Sequence, residues 1–487
     1  MEMKSASAAL LKNYIGGEWV ASNNATVDLN PSDLADVVGQ YAEAEPAHVK
    51  QAVEAARAAF PGWSRTVPAQ RSEILLRIAC EMEARQNELG ELLSREEGKV
   101  RKEGVNEVAK AAKLFEYFAA EIIRPDGEHF PSLRDGIDVE ALREPLGVIA
   151  VLTPWNLPMG TPCWKIAPAL AFGNCVVFKP SNFVPASAWA LTDIIARAGM
   201  PPGVFNLVMG PGSAIGNALV STLGINAITF TGSNATGSHI AKAAGERRIK
   251  LQMEMGGKNP LVVLDDANLN LAVDGALRGA FYATGQRCTA SSRLIVTKGI
   301  HDKFVSALVE RMKAVKVDHA LDPQTDIGPV VNEPQLDIDL SYLALGLGEG
   351  AKLACGGERL TRKTRGYYLA PALFTETSNK MRINQEEIFG PIASVIRAKD
   401  YDEALSIAND TPFGLAAGIY TASMRHATHF KRNAECGICM INLPTAGSDI
   451  HAPFGGRKAS SYGSRELSVH AREFYTTMKT VYASPGA

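Results

Sequence analysis

The residues best suited to chemistry lie in a few short stretches. Gly285-Gln286-Arg287-Cys288-Thr289-Ala290 sets a thiol among small and polar residues, just after Phe281-Tyr282-Ala283-Thr284, which reads as a helix end. The glycine lets the backbone pass close to a neighbour or a ligand. A thiolate is a nucleophile, so Cys288 is a candidate for covalent catalysis; alone, it reads as readily as a small buried hydrophobe. Met253-Glu254-Met255-Gly256-Gly257-Lys258 puts a carboxylate among apolar neighbours. That setting raises a carboxyl pKa and suits a general base, although a helix cap or ion pair reads equally well. Glu386-Glu387-Ile388-Phe389-Gly390-Pro391 joins acids able to hold ribose hydroxyls to a ring able to lie on a flat cofactor. The plainer alternative is a surface acid pair beside a core phenylalanine. Cys436 and Cys439 form a C-x-x-C in a strand-like segment and read as structural. The nine histidines show no H-x-x-x-H spacing, so no metal is expected.

These stretches need elements to position them. From Gly147 the chain alternates short apolar runs (147–152, 175–179, 204–208, 227–231, 260–264) with helical segments near 161–172, 186–199, 213–222 and 234–245. Such alternation implies βαβ units, a parallel sheet and an α/β fold. Open sheets of this kind bind ligands beyond the carboxyl ends of their strands. The residues there are Thr153-Pro154-Trp155-Asn156, Lys179-Pro180-Ser181-Asn182, Gly210-Pro211-Gly212 and Gly232-Ser233. Phe230-Thr231-Gly232-Ser233-Asn234-Ala235-Thr236-Gly237 follows a strand and opens a helix, where free backbone N–H groups favour a phosphate. It is not a G-x-G-x-x-G, and an ordinary strand-to-helix turn would look similar. Lys179 at a strand end can reach a nucleotide or simply be solvated.

Around this core, residues 12–44 read as irregular and strand-like. Helices are expected from Val49 to a stop at Pro61-Gly62, from about Pro68 to Leu93, and from Gly104 to Ile123. Pro125 to Glu144 reads as a hairpin leaving the body. A second α/β region follows Gly257, with helices near 270–284, 301–315, 402–408 and 424–434 and strands near 293–297, 392–397, 416–420 and 438–441. Alternation through Phe474, Thr476, Met478, Thr480 and Tyr482 suggests a terminal strand that pairs with the hairpin or with another subunit.

With 487 residues, two or three domains are expected. A hydrophobic share of 46%, a charged share of 21% and a net charge of −2 describe a globular protein without a nucleic-acid or membrane-surface footprint. Seven scattered cysteines suit a reducing, cytoplasmic setting. Met1 to Leu11 carries no sustained apolar run, and no stretch is long enough to span a membrane.

Together the stretches Pro154-Trp155-Asn156, Lys179-Pro180-Ser181, Phe230-Thr231-Gly232-Ser233, Glu254-Met255-Gly256-Gly257-Lys258, Gly285-Gln286-Arg287-Cys288, Glu387-Ile388-Phe389-Gly390-Pro391 and Pro453-Phe454-Gly455-Gly456 resemble the aldehyde dehydrogenase superfamily over essentially the whole chain. The resemblance implies NAD(P)-dependent oxidation of an aldehyde to a carboxylic acid. In it, Cys288 attacks the carbonyl, and Asn156 with the Cys288 backbone N–H holds the oxyanion. Hydride leaves for the nicotinamide, and Glu254 activates the water that hydrolyses the thioester. Lys179 and Glu387 would hold riboses, and Phe389 would pack near the nicotinamide. Thr153, Pro154, Trp155, Ser181, Asn182, Gly212, Phe230, Thr231, Gly232, Ser233, Thr236, Met255 and Gly256 would complete the cofactor site. The substrate tunnel would be lined by Gly160, Thr161, Trp164, Arg287, Thr289, Thr445 and Phe454.

Asn182 stands where NAD-preferring members often carry glutamate, so NADP is expected to be tolerated. Asn156-Leu157-Pro158-Met159, Arg287 and Asn442-Leu443-Pro444-Thr445-Ala446-Gly447 look most like dehydrogenases of 2-oxoglutarate semialdehyde (2,5-dioxopentanoate). Arg287 would read the substrate carboxylate, or else form a structural ion pair. Succinate semialdehyde, or an aromatic or medium-chain aldehyde suited to Trp164, is the alternative. A CoA-acylating member would not need Glu254, and a non-enzymatic crystallin-like protein would not need Cys288, Glu254 and Asn156 together. The resemblance implies a Rossmann-type nucleotide domain over 1–127 and 147–256 and a catalytic domain over 257–460. An oligomerisation arm would comprise 128–146 and 461–487, giving a homodimer or homotetramer.

Overall fold

The computed structural model describes residues 10–124 and 127–486. The reading of the first nine residues and the Pro125 start of the hairpin lie outside the described residues.

The first set of apolar runs builds an eight-stranded sheet. Its order is Ser461–Tyr462, Lys250–Glu254, Ala227–Thr231, Val148–Leu152, Cys175–Lys179, Phe205–Leu207, Asn13–Ile15, Glu18–Val20. The five strands between residues 148 and 254 are mutually parallel. Val148–Leu152 and Cys175–Lys179 are buried along their whole length, which is why they appear as unbroken apolar runs. The chain moves outward from Val148–Leu152 to Phe205–Leu207, then returns to Ala227–Thr231 on the opposite side. The order therefore reverses beside Val148–Leu152, and the crevice at its carboxyl end is the expected ligand site.

The 260–264 run belongs to a second, seven-stranded sheet, ordered Lys352–Cys355, Ala372–Thr377, Ile392–Ala398, Arg293–Thr297, Pro260–Val263, Ala416–Tyr420, Ile438–Ile441. Its strands are parallel except Lys352–Cys355. The carboxyl end of Lys250–Glu254 leads through Gly256 and Gly257 straight into this sheet, so Glu254 stands between the two.

Several boundaries differ from expectation. The first helix runs Pro46–Trp63, continuing past Pro61 because Trp63 is buried in the core. The second breaks at Arg85 into Pro68–Ala84 and Gln86–Glu97. The third is Arg101–Glu121. Two elements beside the site have no apolar periodicity to reveal them. In Lys250–Glu254, Gln252 is buried but accepts a hydrogen bond from Thr229 Oγ1 at 2.6 Å. The helix Glu333–Gly348 spreads apolar and acidic residues over every face.

The hairpin pairs Gly127–Phe130 with Asp138–Pro145, and Thr476–Ala483 adds to the latter as an antiparallel third strand. The expectation that all of 461–487 belongs to the arm is corrected. Ser461–Tyr462 closes the edge of the eight-stranded sheet, and Leu467, Ala471, Phe474 and Tyr475 are buried in its core. These apolar residues are covered more fully by that core than a two-faced arm could cover them.

Candidate active site

Cys288 follows a tight descent from the helix Leu269–Phe281. The turn Tyr282–Gly285 carries positive φ at Ala283 (52°), Thr284 (57°) and Gly285 (65°). At Gly285 a Cβ would lie 2.2 Å from Gly390 O, so glycine is required for conformation and for space. The turn is anchored on both sides: Val331 N donates to Gln286 Oε1 at 3.0 Å, and Asn259 Nδ2 donates to Cys288 O at 2.8 Å. Burial pushes the Cys288 thiol up to about 12, with the Glu387 and Glu254 carboxylates adding to it. Hydrogen bonds from the backbone at Cys288 and Thr289 pull the other way. The resting sulfur is therefore a thiol, and attack requires a base.

Asn156 is buried, and its Nδ2 donates to Gln286 O at 3.0 Å. An amide nitrogen has two hydrogens, so one remains beside the cysteine segment for a developing oxyanion. Its backbone is held from behind. Lys99 Nζ donates to Asn156 O at 2.7 Å and to Glu107 Oε2 at 2.6 Å, while Glu107 Oε1 accepts from the backbone of Met159 and Gly160. Lys99 and Glu107 were not legible in the sequence. The only signal was Glu96-Glu97-Gly98-Lys99, which reads as a solvated helix end.

Glu254 ends its strand almost fully buried, with Ser461 Oγ donating to Oε2 at 2.5 Å. Burial, followed by the charge of Glu466, holds its carboxyl well above the ordinary range; the Ser461 bond, Lys165 and Arg465 oppose this. Glu466 is itself paired with Lys165, which also donates to Thr229 Oγ1 at 3.0 Å. A carboxyl held high in this way binds its proton more tightly and is the stronger base once that proton is lost.

Two cavities meet at the cysteine. One, of about 660 Å³, is lined by Pro154, Trp155, Asn156, Thr231, Gly232, Ser233, Glu254, Met255, Gly256, Cys288, Glu387 and Phe389, with Thr161, Trp164 and Phe454 at the inner end. Gly256 allows the Glu387 carboxylate against the backbone, where a Cβ would stand 2.0 Å from Oε2, and Gly257 N donates to Oε1 at 2.9 Å. Phe389, at φ 65°, meets Trp155 edge to face with centroids 5.3 Å apart. The hydroxyls of Thr153 and Thr231 are buried without partners at the strand ends. Ser233 caps the helix Asn234–Arg247, accepting from Thr236 N at 3.3 Å. Phe230 packs under Gly232. Lys179, Ser181, Asn182 and Gly212 lie at neighbouring strand ends, with Lys179 Nζ 3.9 Å from where a Gly212 Cβ would be. Burial lowers the Lys179 ammonium to about 8. This row of unsatisfied donors and helix-start amides fits the riboses and phosphates of a dinucleotide. The helix Glu333–Gly348, absent from the sequence reading, supplies the far wall through Gln335, Ile338 and Tyr342.

The second cavity, of about 380 Å³, includes Gly160, Trp164, Arg287, Cys288, Thr289 and Phe454. Trp164 and Phe454 meet at 4.9 Å between centroids. Arg287 both lines this wall and forms an ion pair, its Nη2 lying 2.7 Å from Glu103 Oε1. Lys110 shares the cavity. Thr445 does not line it: its hydroxyl is buried against Thr289 O and Ser291 Oγ, both at 2.7 Å, and Ala446, Gly447 and Ser448 take its place. Among the described residues no group of three or more His, Cys, Asp or Glu could hold a metal, and no helix is long and apolar enough to cross a membrane.

The family model described as the aldehyde dehydrogenase family matches residues 19–481. The chain belongs to the aldehyde dehydrogenase family. As an aldehyde dehydrogenase it is 42% identical over 477 residues to an alpha-ketoglutaric semialdehyde dehydrogenase of Bacillus subtilis, covering 97% of this chain and 98% of that one. It is 38% identical over 478 residues to a betaine aldehyde dehydrogenase of Mesorhizobium japonicum, covering 97% of each. The crystal structure of betaine aldehyde dehydrogenase from Staphylococcus aureus in complex with NAD+ superposes with a TM-score of 0.95 at 33% identity, covering 98% of this chain and 95% of that one. The aldehyde dehydrogenase fold accounts for the two sheets.

Proposed function

We propose that this aldehyde dehydrogenase oxidises 2-oxoglutarate semialdehyde to 2-oxoglutarate with NAD+ or NADP+. The observation that carries the reading is Cys288 at the meeting of two cavities, with Glu254 on the cofactor side and Arg287 on the substrate side. The ionised Glu254 carboxylate takes the Cys288 proton as the sulfur adds to the aldehyde carbonyl, the Asn156 amide and Cys288 backbone N–H receive the oxyanion, and Glu254 then passes that proton to solvent. A bound nicotinamide supplies the hydride acceptor. Cys288 is then left as a thioester. Glu254, once deprotonated, takes a proton from water, and the hydroxide releases the acid. Lys179 and Glu387 would hold the riboses of the bound dinucleotide, and Gly232 and Ser233 would take its pyrophosphate. A neutral Asn182 leaves room in charge terms for a 2′-phosphate, so activity with NADP+ is expected.

Arg287 supplies the cation that an acid-bearing aldehyde needs, and the semialdehyde carboxylate would displace Glu103 from it. The names of the more similar relatives point the same way. A second reading has its own support. Trp164, Phe454 and the Glu103 carboxylate form a corner suited to a quaternary ammonium, as in betaine aldehyde. The test is a panel of 2-oxoglutarate, succinate, betaine, aromatic and medium-chain aldehydes against NAD+ and NADP+, followed by reduced-nicotinamide absorbance. Arg287→Gln is expected to raise KM for the acid-bearing aldehyde about 10- to 100-fold, the worth of one charged hydrogen bond. Preference for betaine aldehyde, with no effect of that substitution on the semialdehyde, would establish the second reading instead.

The arm also supports self-association. Met478, Tyr482, Phe130 and Leu142 are exposed along a thin three-stranded sheet. A second copy of the chain is the proposed cover.

A further inference from the structure

Asp339 is a buried acid that the chemistry above does not use. It lies in the helix Glu333–Gly348 with no exposed surface, and its Oδ2 has no hydrogen-bond partner. Buried polar groups left so are uncommon and call for a reason. Its surroundings supply one. Gln335 Nε2 donates to Asp339 Oδ1 at 3.0 Å and also to Ile388 O at 3.1 Å. The carboxyl group rests flat against Gly390, where a Cβ would fall 2.2 Å from Oδ1 and 2.4 Å from Oδ2. Gly390 O in turn presses on Gly285, at the start of the cysteine turn. The strained Phe389 and the carboxylate Glu387 sit directly before this contact.

We propose that Asp339 is a positioning residue which, through Gly390 and Gln335, seats the 386–391 loop so that Glu387 and Phe389 meet the cofactor. This rests on the reading of that loop as the nicotinamide-ribose seat. The carboxyl group fills the hollow beneath Gly390 as a neutral acid. Burial raises it to about 8, opposed only by the Gln335 bond, with no neighbouring charge contributing. The titratable groups around the loop face other partners. Glu386 is held by Arg382 at 2.7 Å and by Tyr342 at 2.8 Å, and Glu387 by the Gly257 amide. Lys258 has no hydrogen-bond partner, and the charges acting on it come from Arg293, Glu387 and Glu386 rather than Asp339. The sign follows. Below about pH 8 the group is uncharged and the seat is intact; above it, an unbalanced negative charge appears against Gly390 and the loop is pushed from its seat.

The experiment is steady-state kinetics from pH 6 to 10 on wild type, Asp339→Asn, Asp339→Ala and Glu387→Gln, each checked for folding by circular dichroism. Wild type is expected to show KM for the oxidised nicotinamide cofactor rising above about pH 8 while KM for the aldehyde stays flat. Asp339→Asn, a neutral isostere, keeps the neutral-pH KM and loses the alkaline rise. Asp339→Ala raises the cofactor KM about tenfold at pH 7. An alkaline rise that persists in Asp339→Asn overturns the proposal, as does an unchanged cofactor KM in a folded Asp339→Ala. If Asp339→Ala does not fold, the pH profile of Asp339→Asn decides alone. A wild-type cofactor KM in Glu387→Gln overturns the underlying reading of the loop; a raised one alongside an unaffected Asp339→Ala overturns only the role of Asp339.

Discussion

At the scale of single residues, the site pairs a thiol with an acid whose hold on its proton is strengthened. Burial, then the nearby Glu387 and Glu254 carboxyl groups, push the Cys288 thiol up, and burial followed by the Glu466 charge raises the Glu254 carboxyl. Glu254→Gln keeps the hydrogen-bonding shape but cannot accept a proton. It is expected to accumulate a thioester on Cys288, visible as added mass by intact-protein mass spectrometry; rapid continued hydrolysis would remove Glu254 from that step. Since Glu254 works only when ionised, turnover should fall on the acid side as pH drops through its raised pKa. Glu466→Gln removes the neighbouring negative charge and frees Lys165, and both changes favour ionised Glu254. The acid limb of kcat is expected to move to lower pH by about one unit. An unmoved limb would mean that another group controls it. Cys288, Glu254 and Asn156 were legible because each combines a reactive type with a local setting. Lys99, Glu103 and Asp339 were not, because their contacts with Asn156, Arg287 and Gly390 are tens to hundreds of positions away and a lone charged residue in or beside a helix reads as solvated.

Elements were legible where burial left a mark on composition. The central parallel strands Val148–Leu152 and Pro260–Val263 are apolar throughout because both faces are covered. Lys250–Glu254 and Glu333–Gly348 escaped notice because internal hydrogen bonds let polar residues sit inside. The most demanding element is the turn Tyr282–Gly285, with three successive positive φ values. Gly285→Ala combines an unfavourable φ with a 2.2 Å approach to Gly390 O. It is expected to cost about 2–4 kcal/mol, read as a lower denaturation midpoint, and to abolish turnover. A fully stable, active variant would show that the turn has more slack than its contacts allow.

On the scale of the whole molecule, the chain's later part does two jobs. Thr476–Ala483 forms the arm with Asp138–Pro145, tied to the body by Arg143 Nη2 at 2.7 Å from Glu473 Oε1 and by Lys250 Nζ donating to Thr476 O at 2.9 Å. Deleting 476–486 is expected to yield monomers by size-exclusion chromatography with light scattering, where the full chain is expected to give dimers or tetramers. An unchanged mass would place the interface elsewhere. The arm was legible because its alternation marks two exposed faces; the inward path of 461–475 was not, since Phe474 continues the same alternation into the core. That path has a consequence for biosynthesis. Ser461, Arg465 and Glu466 set the state of Glu254, yet they are made long after Cys288. Because chains fold from the N-terminus as they emerge, a nascent chain acquires its nucleophile well before its hydrolytic base is tuned. Ribosome-bound chains stalled before residue 461 should therefore hold Glu254 without the Ser461 hydrogen bond or the Glu466 and Arg465 charges, and its titration should differ from that in the released chain.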